Sequence, residues 1–279
     1  FDNEKGVFFG ANDGRFYSVD LESGVLGWNY PLNSESTAAP LVVGQYVFHM
    51  AMNGTLYAME KESGRVLWVK AKSLKSNLSI RGTAQPVFAD GRIYAGHADG
   101  VFTAYSAIDG SIVWEKQLSE KSKFNDIDSR PLVTPECILV ATYSEALYCL
   151  DKATGDTRWV LNEAGSARPI SLQDKHVFYA TEGAILTIDL GSGKILKTFK
   201  TKAGLGIPTG VVPYKSLLVV GYSEGPLVLM DKETGSWVDT SYPGRGINAT
   251  PALDEKTGEV FVVSNQANLY KLKIQQKRF

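Results

Sequence analysis

Two short segments, 45 residues apart, hold the side chains best suited to binding another protein. The first places two apolar residues beside a guanidinium, Leu78, Ile80 and Arg81, and the second carries the carboxylates Asp126 and Asp128. Arginine offers a planar set of hydrogen-bond donors, and leucine and isoleucine supply apolar area to an interface. We expect these five residues to bind a protein partner. The alternative is that the apolar pair covers the edge of the fold and that the aspartates close Asx turns.

The other residues that could support chemistry form no recognisable site in the sequence. No Ser-His-Asp set, glycine-rich phosphate loop or His/Cys metal cluster stands out. Three histidines, His49, His97 and His176, lie on predicted strands without metal-binding neighbours, which favours structural roles. Cys137 and Cys149 could form a disulfide across one hairpin or remain two small buried thiols, and two thiols are the favoured interpretation. We therefore predict no catalytic residue, no metal site and no cofactor.

These residues belong to a sequence that repeats. Segment 53–68 recurs as 13–28 and as 99–114, and each of these copies ends on a tryptophan. A fourth copy reaches Trp159, and the spacings between the four tryptophans are 40, 46 and 45 residues. Later copies keep the Asp…Gly pair but lose the tryptophan. A proline heads every copy after the first, at Pro40, Pro86, Pro131, Pro169, Pro208 and Pro251. We count seven repeats, and a period of this length indicates a repeat architecture.

Each repeat contains four short predicted strands, named A to D. In the second repeat they are about 40–43, 46–52, 55–60 and 65–70, separated by glycine turns. Four strands per repeat of about 40 residues are typical of a β-propeller. We predict an all-β fold, a β-propeller of four-stranded antiparallel blades in one domain over residues 1–279. Two sets of aromatic residues are expected to pack between blades, Trp28, Trp68, Trp114 and Trp159 together with Tyr17, Tyr57, Tyr148 and Tyr270.

Two of the connections from strand D to the next strand A are longer than the others. Counted from the tryptophan position to the next proline, they measure 18 residues from Trp68 and 17 from Trp114, against 10 to 12 elsewhere. Long connections in a compact repeat are often functional. All D-to-A connections emerge on one face of a propeller, so these two should form one continuous patch. They contain the five candidate binding residues.

Composition excludes several classes of protein. The chain has 279 residues, 44% of them hydrophobic and 21% charged, which is an ordinary globular balance rather than that of a disordered chain. The formal net charge is -1, so a broadly basic nucleic-acid binder is not expected. No apolar run is long enough to span a membrane. A secretory signal or a lipid anchor, if the protein has one, would lie upstream of the first residue given.

The repeat resembles a known type. Tyr57-Ala-Met-Glu60 followed by Gly64 and Trp68 is similar to the repeat of quinoprotein-type propellers. That superfamily contains quinone-dependent dehydrogenases and non-catalytic scaffolds, chiefly the BamB family of the outer-membrane β-barrel assembly machine. The resemblance covers essentially the whole chain, and it implies a propeller fold.

The two long connections resemble the BamB family more specifically. The Leu-Ser-Ile-Arg-Gly string at 78–82 is similar to a Leu-Ser-Leu-Arg-Gly loop of that family, and Asp-Ile-Asp at 126–128 is similar to its Asp-Val-Asp loop on the next blade. The resemblance implies contacts with the POTRA domains of BamA through Leu78, Ile80, Arg81, Asp126 and Asp128. It also implies a scaffold at the periplasmic face of the outer membrane, held by a lipid anchor upstream. Nascent outer-membrane β-barrel proteins are a further implied partner, and nucleic acid is not.

The sequence departs from the family in the number of repeats. BamB proteins have eight blades, whereas seven copies are counted here; the first copy lacks strand A and the last lacks strand D. We expect that an N-terminal part is missing, either a closing segment alone or that segment with a whole blade. We also expect the repeat containing 258–273 to lie beside the one containing 7–30 in a closed ring.

Two other functions are weaker alternatives. A quinone-dependent dehydrogenase of this superfamily is about twice as long and carries two adjacent cysteines beside the quinone, whereas Cys137 and Cys149 are twelve residues apart. A periplasmic module that binds a small ligand would place polar and aromatic residues at the mouth of the central channel.

Overall fold

The computed structural model describes residues 6–36, 38–72, 84–120, 125–143, 146–162, 164–166 and 168–275. Over these residues the chain forms 26 strands in seven antiparallel sheets, without a helix. The described part accordingly contains no helix that could cross a membrane. The chain divides into two compact units, Phe1–Ala167 and Arg168–Phe279.

The first unit holds four sheets, numbered 1 to 4 in chain order. Sheet 1 has three strands and sheets 2 to 4 have four, and every neighbouring pair along the chain is antiparallel. The strands of sheets 1 and 2 are β1 Gly6–Gly10, β2 Arg15–Asp20, β3 Leu26–Pro31, β4 Leu41–Val43, β5 Tyr46–Met50, β6 Leu56–Glu60 and β7 Val66–Lys70. Those of sheets 3 and 4 are β8 Val87–Ala89, β9 Arg92–Gly96, β10 Val101–Ser106, β11 Ile112–Gln117, β12 Leu132–Val133, β13 Ile138–Ala141, β14 Ala146–Leu150 and β15 Thr157–Asn162.

The second unit holds sheets 5 to 7, built in the same way. Sheets 5 and 6 have four strands and sheet 7 has three. Their strands are β16 Ser171–Gln173, β17 His176–Ala180, β18 Ala184–Asp189, β19 Ile195–Lys200, β20 Pro208–Tyr214, β21 Leu217–Tyr222, β22 Leu227–Asp231, β23 Trp237–Ser241, β24 Ala252–Asp254, β25 Glu259–Val263 and β26 Leu269–Lys273. The seven predicted repeats therefore correspond to seven sheets. The single-domain assignment and the ring closure remain predictions.

The turn from strand C to strand D is fixed by a carboxylate and a glycine. In sheet 4 the Asp151 carboxylate accepts the backbone N–H groups of Ala153 and Thr154, at 2.8 and 3.1 Å, and the Arg158 guanidinium at 2.6 Å. These hydrogen bonds, the one from Arg158 first, lower the pKa of Asp151 to about 2. Gly155 closes the turn at a φ of 79°, a conformation that glycine adopts without steric cost.

A β-bulge follows each of these turns, and the sequence did not predict it. In sheet 2, Ala58 lies opposite Trp68, but the next residue Met59 pairs with Val66, so strand D carries one extra residue. The same register shift occurs between strands C and D in sheets 1 to 6. A bulge bends its strand and increases the local twist. Here it lies directly before the position at which the first four repeats carry tryptophan.

Three of these tryptophans join each sheet of the first unit to the next one. The indole N–H of Trp28 donates to the carbonyl of Lys61 at 2.9 Å, and those of Trp68 and Trp114 donate to the carbonyls of Ala107 and Lys152 at 3.2 and 3.1 Å. Each acceptor lies three residues before the glycine of a C-to-D turn. A Cβ on these glycines would lie 2.5 to 2.7 Å from the indole, so the ring packs directly on the glycine backbone: Gly64, Gly110 and Gly155. The expected packing role of these tryptophans is confirmed.

Lysine occupies the tryptophan position in the fifth repeat. Lys197 Nζ donates to the carbonyl of Lys232 at 3.4 Å and pairs with the Glu233 carboxylate. Lys232 again lies three residues before the turn glycine, Gly235. The ring that packs on that glycine belongs to Phe199, from which a Cβ on Gly235 would be 2.3 Å away. The contact is thus retained after the tryptophan is lost, because the acceptor is a backbone carbonyl.

The favoured interpretation of the cysteines is wrong. Cys137 and Cys149 form a disulfide, with their Cα atoms 5.7 Å apart. Cys137 directly precedes β13, and the register of the hairpin places Leu139 opposite Cys149. The two cysteines are therefore near-neighbours across one hairpin, a register that the sequence alone did not fix. Both are buried, with at most 1% of their surface exposed.

We predict that the disulfide stabilises sheet 4. Replacing both cysteines, as Cys137→Ala with Cys149→Ala, should lower the free energy of unfolding by about 3 kcal/mol, because a cross-link over a short loop restricts the unfolded chain by about that amount. Urea unfolding of the oxidised wild type and the double variant measures the difference. Thiol labelling of the unfolded wild type should detect no free cysteine. Equal unfolding midpoints for the two proteins would refute the stabilising role.

Candidate functional site

The structure describes part of the predicted binding site. Asp126 and Asp128 lie in the connection between β11 and β12, which joins sheet 3 to sheet 4. Leu78, Ile80 and Arg81 lie outside the described residues, in the connection between β7 and β8. Whether the two groups form one patch therefore remains a prediction.

The connection that carries the two aspartates is held to sheet 3 by Ile127. The Ile127 side chain is 1% exposed and belongs to an apolar core with Tyr94, Phe102 and Ile138. Its backbone N–H donates to the carbonyl of His97 at 3.2 Å. Sequence analysis missed this role, because an isoleucine between two aspartates in a long connection resembles an exposed loop residue.

The same connection is also hydrogen-bonded to sheet 4. The carbonyl of Asp126 accepts the backbone N–H of Tyr143 at 3.0 Å, and the hydroxyl of Tyr148 donates to the carbonyl of Leu118 at 2.7 Å. Within the connection, the Ser119 hydroxyl donates to the Asn125 side chain at 2.9 Å. Backbone hydrogen bonds to both neighbouring sheets therefore fix the course of the chain at Asp126 and Ile127.

The two carboxylates differ in exposure. The Asp126 side chain is buried, whereas Asp128 is partly exposed and its Oδ1 atom is buried. Arg130 is exposed, and Tyr143 on the neighbouring turn is 41% exposed. Tyr143 is a residue that sequence analysis did not select. Of the predicted pair, Asp128 is thus the carboxylate with surface available to a partner.

One described end of the other long connection contacts sheet 3. Lys72, just before residue 73, forms an ion pair with Glu115 on β11, with 2.9 Å between Nζ and Oε1. The Lys72 charge also acts on the imidazole of His97, whose carbonyl binds Ile127. At the other end, Gln85 donates to the carbonyl of Pro40 at 2.7 Å. Lys72 therefore lies near His97, whereas Gln85 binds the residue that precedes β4.

Two of the histidines are buried and uncharged. His49 lies on β5, with its Nε2 beside the Ser36 hydroxyl, and His97 follows β9 directly, with its Nε2 3.0 Å from the Tyr105 hydroxyl. Burial lowers the pKa of His49 to about 4, and burial with the nearby Lys72 charge lowers the pKa of His97 to about 3. Among the described residues no group of three or more His, Cys, Asp or Glu side chains could hold a metal ion.

Comparison with known proteins identifies the family. A family model described as outer membrane protein assembly factor BamB matches residues 1–199. The chain belongs to the BamB family.

Individual BamB proteins and solved structures agree with this assignment. The outer membrane protein assembly factor BamB of Shewanella oneidensis is 26% identical over 239 residues, which cover 83% of this chain and 60% of that relative. The crystal structure of BamB from Moraxella catarrhalis gives a TM-score of 0.86 at 23% identity, covering 98% of this chain and 83% of that one. A quinohemoprotein alcohol dehydrogenase from Pseudomonas putida HK5 gives 0.75 at 13% identity, covering 93% and 60%. These structural likenesses confirm the predicted β-propeller fold.

The chain is shorter than the curated BamB proteins that it matches. It spans between 60% and 65% of the length of three of them.

Burial of His97 should make the protein sensitive to acid. The unfolded imidazole gains a proton near pH 6.5, whereas the folded one does so only near pH 3, so acid favours the unfolded chain between these values. The free energy of unfolding should fall as the pH decreases through this window, by up to about 1.4 kcal/mol per pH unit. His97→Gln should reduce this dependence without abolishing it, because the buried His49 contributes in the same sense. Urea unfolding at a series of pH values measures the slope, and an unchanged slope in His97→Gln would contradict the assignment.

Proposed function

We propose that this chain is a non-catalytic scaffold of the outer-membrane β-barrel assembly machine. It docks onto the POTRA domains of BamA and assists the insertion of outer-membrane proteins. The observation that carries the proposal is the BamB family match over residues 1–199, together with the fold agreement with a solved BamB structure. The BamB relatives are named outer membrane protein assembly factors, which supports a place at the outer membrane. We propose the periplasmic face, with a lipid anchor upstream of the given residues.

The binding site that we propose consists of the five residues from the two long connections. Leu78 and Ile80 supply apolar area, and Arg81 supplies a fork of donors for a carboxylate or a backbone carbonyl of the partner. Asp128 adds a partly exposed carboxylate on a connection whose backbone is already fixed. A preformed connection loses little conformational freedom on binding, which favours affinity. Asp126 belongs to the proposed site as well, although its burial means that its substitution also tests packing.

The disulfide supports an exported location. Disulfides form and persist in oxidising compartments such as the bacterial periplasm and are rare in the cytosol. The Cys137–Cys149 bond, formed between two buried sulfur atoms, fits a protein that folds after export. This observation is independent of the family match.

Likeness to a quinohemoprotein dehydrogenase does not favour an enzymatic function. The sequence identity to that enzyme is 13%, so the similarity concerns the fold alone. Fold does not determine function, which depends on the side chains of a site. The two cysteines pair with each other at a separation of 12 residues, whereas the dehydrogenases of this superfamily carry adjacent cysteines. No observation on the described residues favours a small-ligand module.

Arg81→Ala should weaken binding to BamA by tens-fold or more. Truncating one partner of a desolvated, charged hydrogen bond costs about 2–5 kcal/mol, and about 1.4 kcal/mol is a factor of ten. The melting temperature should hardly change, because a surface loop residue usually contributes within about 0.5 kcal/mol. Affinity for the purified POTRA domains, measured by calorimetry, tests the prediction. Arg245→Ala is the matched control, since Arg245 is an exposed arginine on another D-to-A connection.

Trp68→Ala should show the opposite pattern. Loss of the indole contact between sheets 2 and 3 should destabilise the protein by about 3 kcal/mol or more, with little direct effect on POTRA affinity of the folded fraction. If the folded wild-type chain does not bind the POTRA domains, the proposed function is wrong. If it binds but Arg81→Ala binds equally well, only the position of the site is wrong.

The proposal includes no quinone cofactor. Titration of the purified chain with pyrroloquinoline quinone and calcium should produce no change in the quinone absorbance and no dye-linked oxidation of alcohols. Stoichiometric binding of the quinone together with alcohol oxidation would contradict the proposed scaffold function and would indicate an enzyme.

A further inference from the structure

Ile127 has a structural counterpart in the second unit. Ile127 lies four residues before Pro131, and Ile247 lies four residues before Pro251, each in the connection that leads to the next sheet. Both side chains are buried, at 1% and 0% exposure. The N–H of Ile247 donates to the carbonyl of Tyr222 at 2.9 Å, as that of Ile127 does to His97 at 3.2 Å. The two isoleucines therefore attach their connections in the same way.

In both connections the isoleucine packs on a glycine at the end of strand B. A Cβ on Gly96 would lie 2.4 Å from Ile127 Cγ2 and 2.6 Å from the Ile127 carbonyl oxygen, and one on Gly221 would lie 3.3 Å from Ile247 Cγ2. Each glycine directly precedes the residue whose carbonyl accepts the isoleucine N–H. At Gly96 the absence of a side chain is what allows the connection to approach this closely, whereas at Gly221 the nearest group is the Thr209 hydroxyl, at 2.8 Å.

The attachment to the following sheet is also shared. The carbonyl of Asp126 accepts the N–H of Tyr143, and that of Gly246, also directly before its isoleucine, accepts the N–H of Asn265; both distances are 3.0 Å. The connections differ in what flanks the isoleucine. Asp126 and Asp128 flank Ile127, whereas uncharged residues, Gly246 and Asn248, flank Ile247. The same backbone attachment thus has a carboxylate on each side of the isoleucine in one case and an uncharged residue on each side in the other.

We propose that Ile127 is the positioning residue of the partner-binding site. Its buried side chain and its hydrogen bond to His97 fix the backbone on either side, and this holds the two aspartates in the geometry that the partner meets. The inference rests on the proposed function, and it assigns to Ile127 an effect on binding that acts through Asp126 and Asp128 rather than by contact with the partner. Ile247, in an equivalent attachment without flanking charges, has only a structural effect.

The matched pair Ile127→Ala and Ile247→Ala tests this inference on the full chain. Both variants remove the same buried side chain from the same kind of attachment, so both should lower the melting temperature. At a temperature where both are folded, Ile127→Ala should bind the POTRA domains at least tenfold more weakly than wild type, and Ile247→Ala should bind within twofold of it. Ile127→Val, which keeps a branched buried side chain, should restore most of the affinity.

Gly96→Ala supplies a second route if Ile127→Ala does not fold, because it displaces the connection from the opposite side of the contact. It should also weaken binding at least tenfold. Equal affinities for Ile127→Ala, Gly96→Ala and wild type would overturn the inference, as would equal losses in Ile127→Ala and Ile247→Ala. Asp128→Asn tests the binding site separately from the positioning role of Ile127. If it weakens binding while Ile127→Ala does not, the proposed function stands and only the positioning role fails. If the wild-type chain does not bind at all, both fail.

Discussion

Packing of one side chain from strand D onto a glycine of the next C-to-D turn is the interaction on which the repeated sheets depend. A single sheet has two faces and cannot bury both of them by itself. In the first unit an indole covers the glycine backbone and donates its N–H to a carbonyl three residues earlier, from Trp28 to Lys61 and from Trp68 to Ala107. The acceptor is a backbone carbonyl and the ring packs on a glycine backbone. The following repeat can therefore make this contact with any side chains, provided that it forms the same C-to-D turn. The rest of each repeat can therefore vary, and Lys197 shows that even the donor can change.

This arrangement separates the fold from the surface that we propose for binding. The tryptophan contacts between sheets use strand D and the C-to-D turns, whereas the connection at Asp126–Asp128 is held by backbone hydrogen bonds and by the buried Ile127 side chain. Backbone attachment is compatible with different side chains beside the attached residue, as the different neighbours of Ile127 and Ile247 illustrate. A connection of this kind can gain charged or apolar residues without a large cost in stability.

Features that recur in every repeat could be predicted from the sequence, whereas features that depend on the pairing register of one pair of strands could not. Seven copies of the same turn residues predicted seven sheets, and the strands of the second repeat were placed to within about two residues of β4 to β7.

The bulge before the tryptophan position was missed because it changes no residue type. The disulfide was misjudged because its formation depends on the hairpin register. That register pairs Cys149 with Leu139, two residues after Cys137, and the sequence alone does not fix it. The role of Ile127 was missed for a different reason: its signal, an isoleucine four residues before the proline, appears only when the connections at Pro131 and Pro251 are aligned with each other.

The buried histidine to which the connection is attached has an electrostatic consequence. The carbonyl of His97 accepts the N–H of Ile127, and burial together with the Lys72 charge lowers the pKa of its imidazole to about 3. The imidazole is therefore neutral at neutral and mildly acidic pH and adds no positive charge at the point where the connection is attached. A partly solvated histidine at the same place would titrate near pH 6.5 and would change the local charge with modest acidification. Burial of His97 thus keeps neutral the residue whose carbonyl accepts the Ile127 N–H, so the attachment of the connection and the charge of its acceptor residue depend on the same packing.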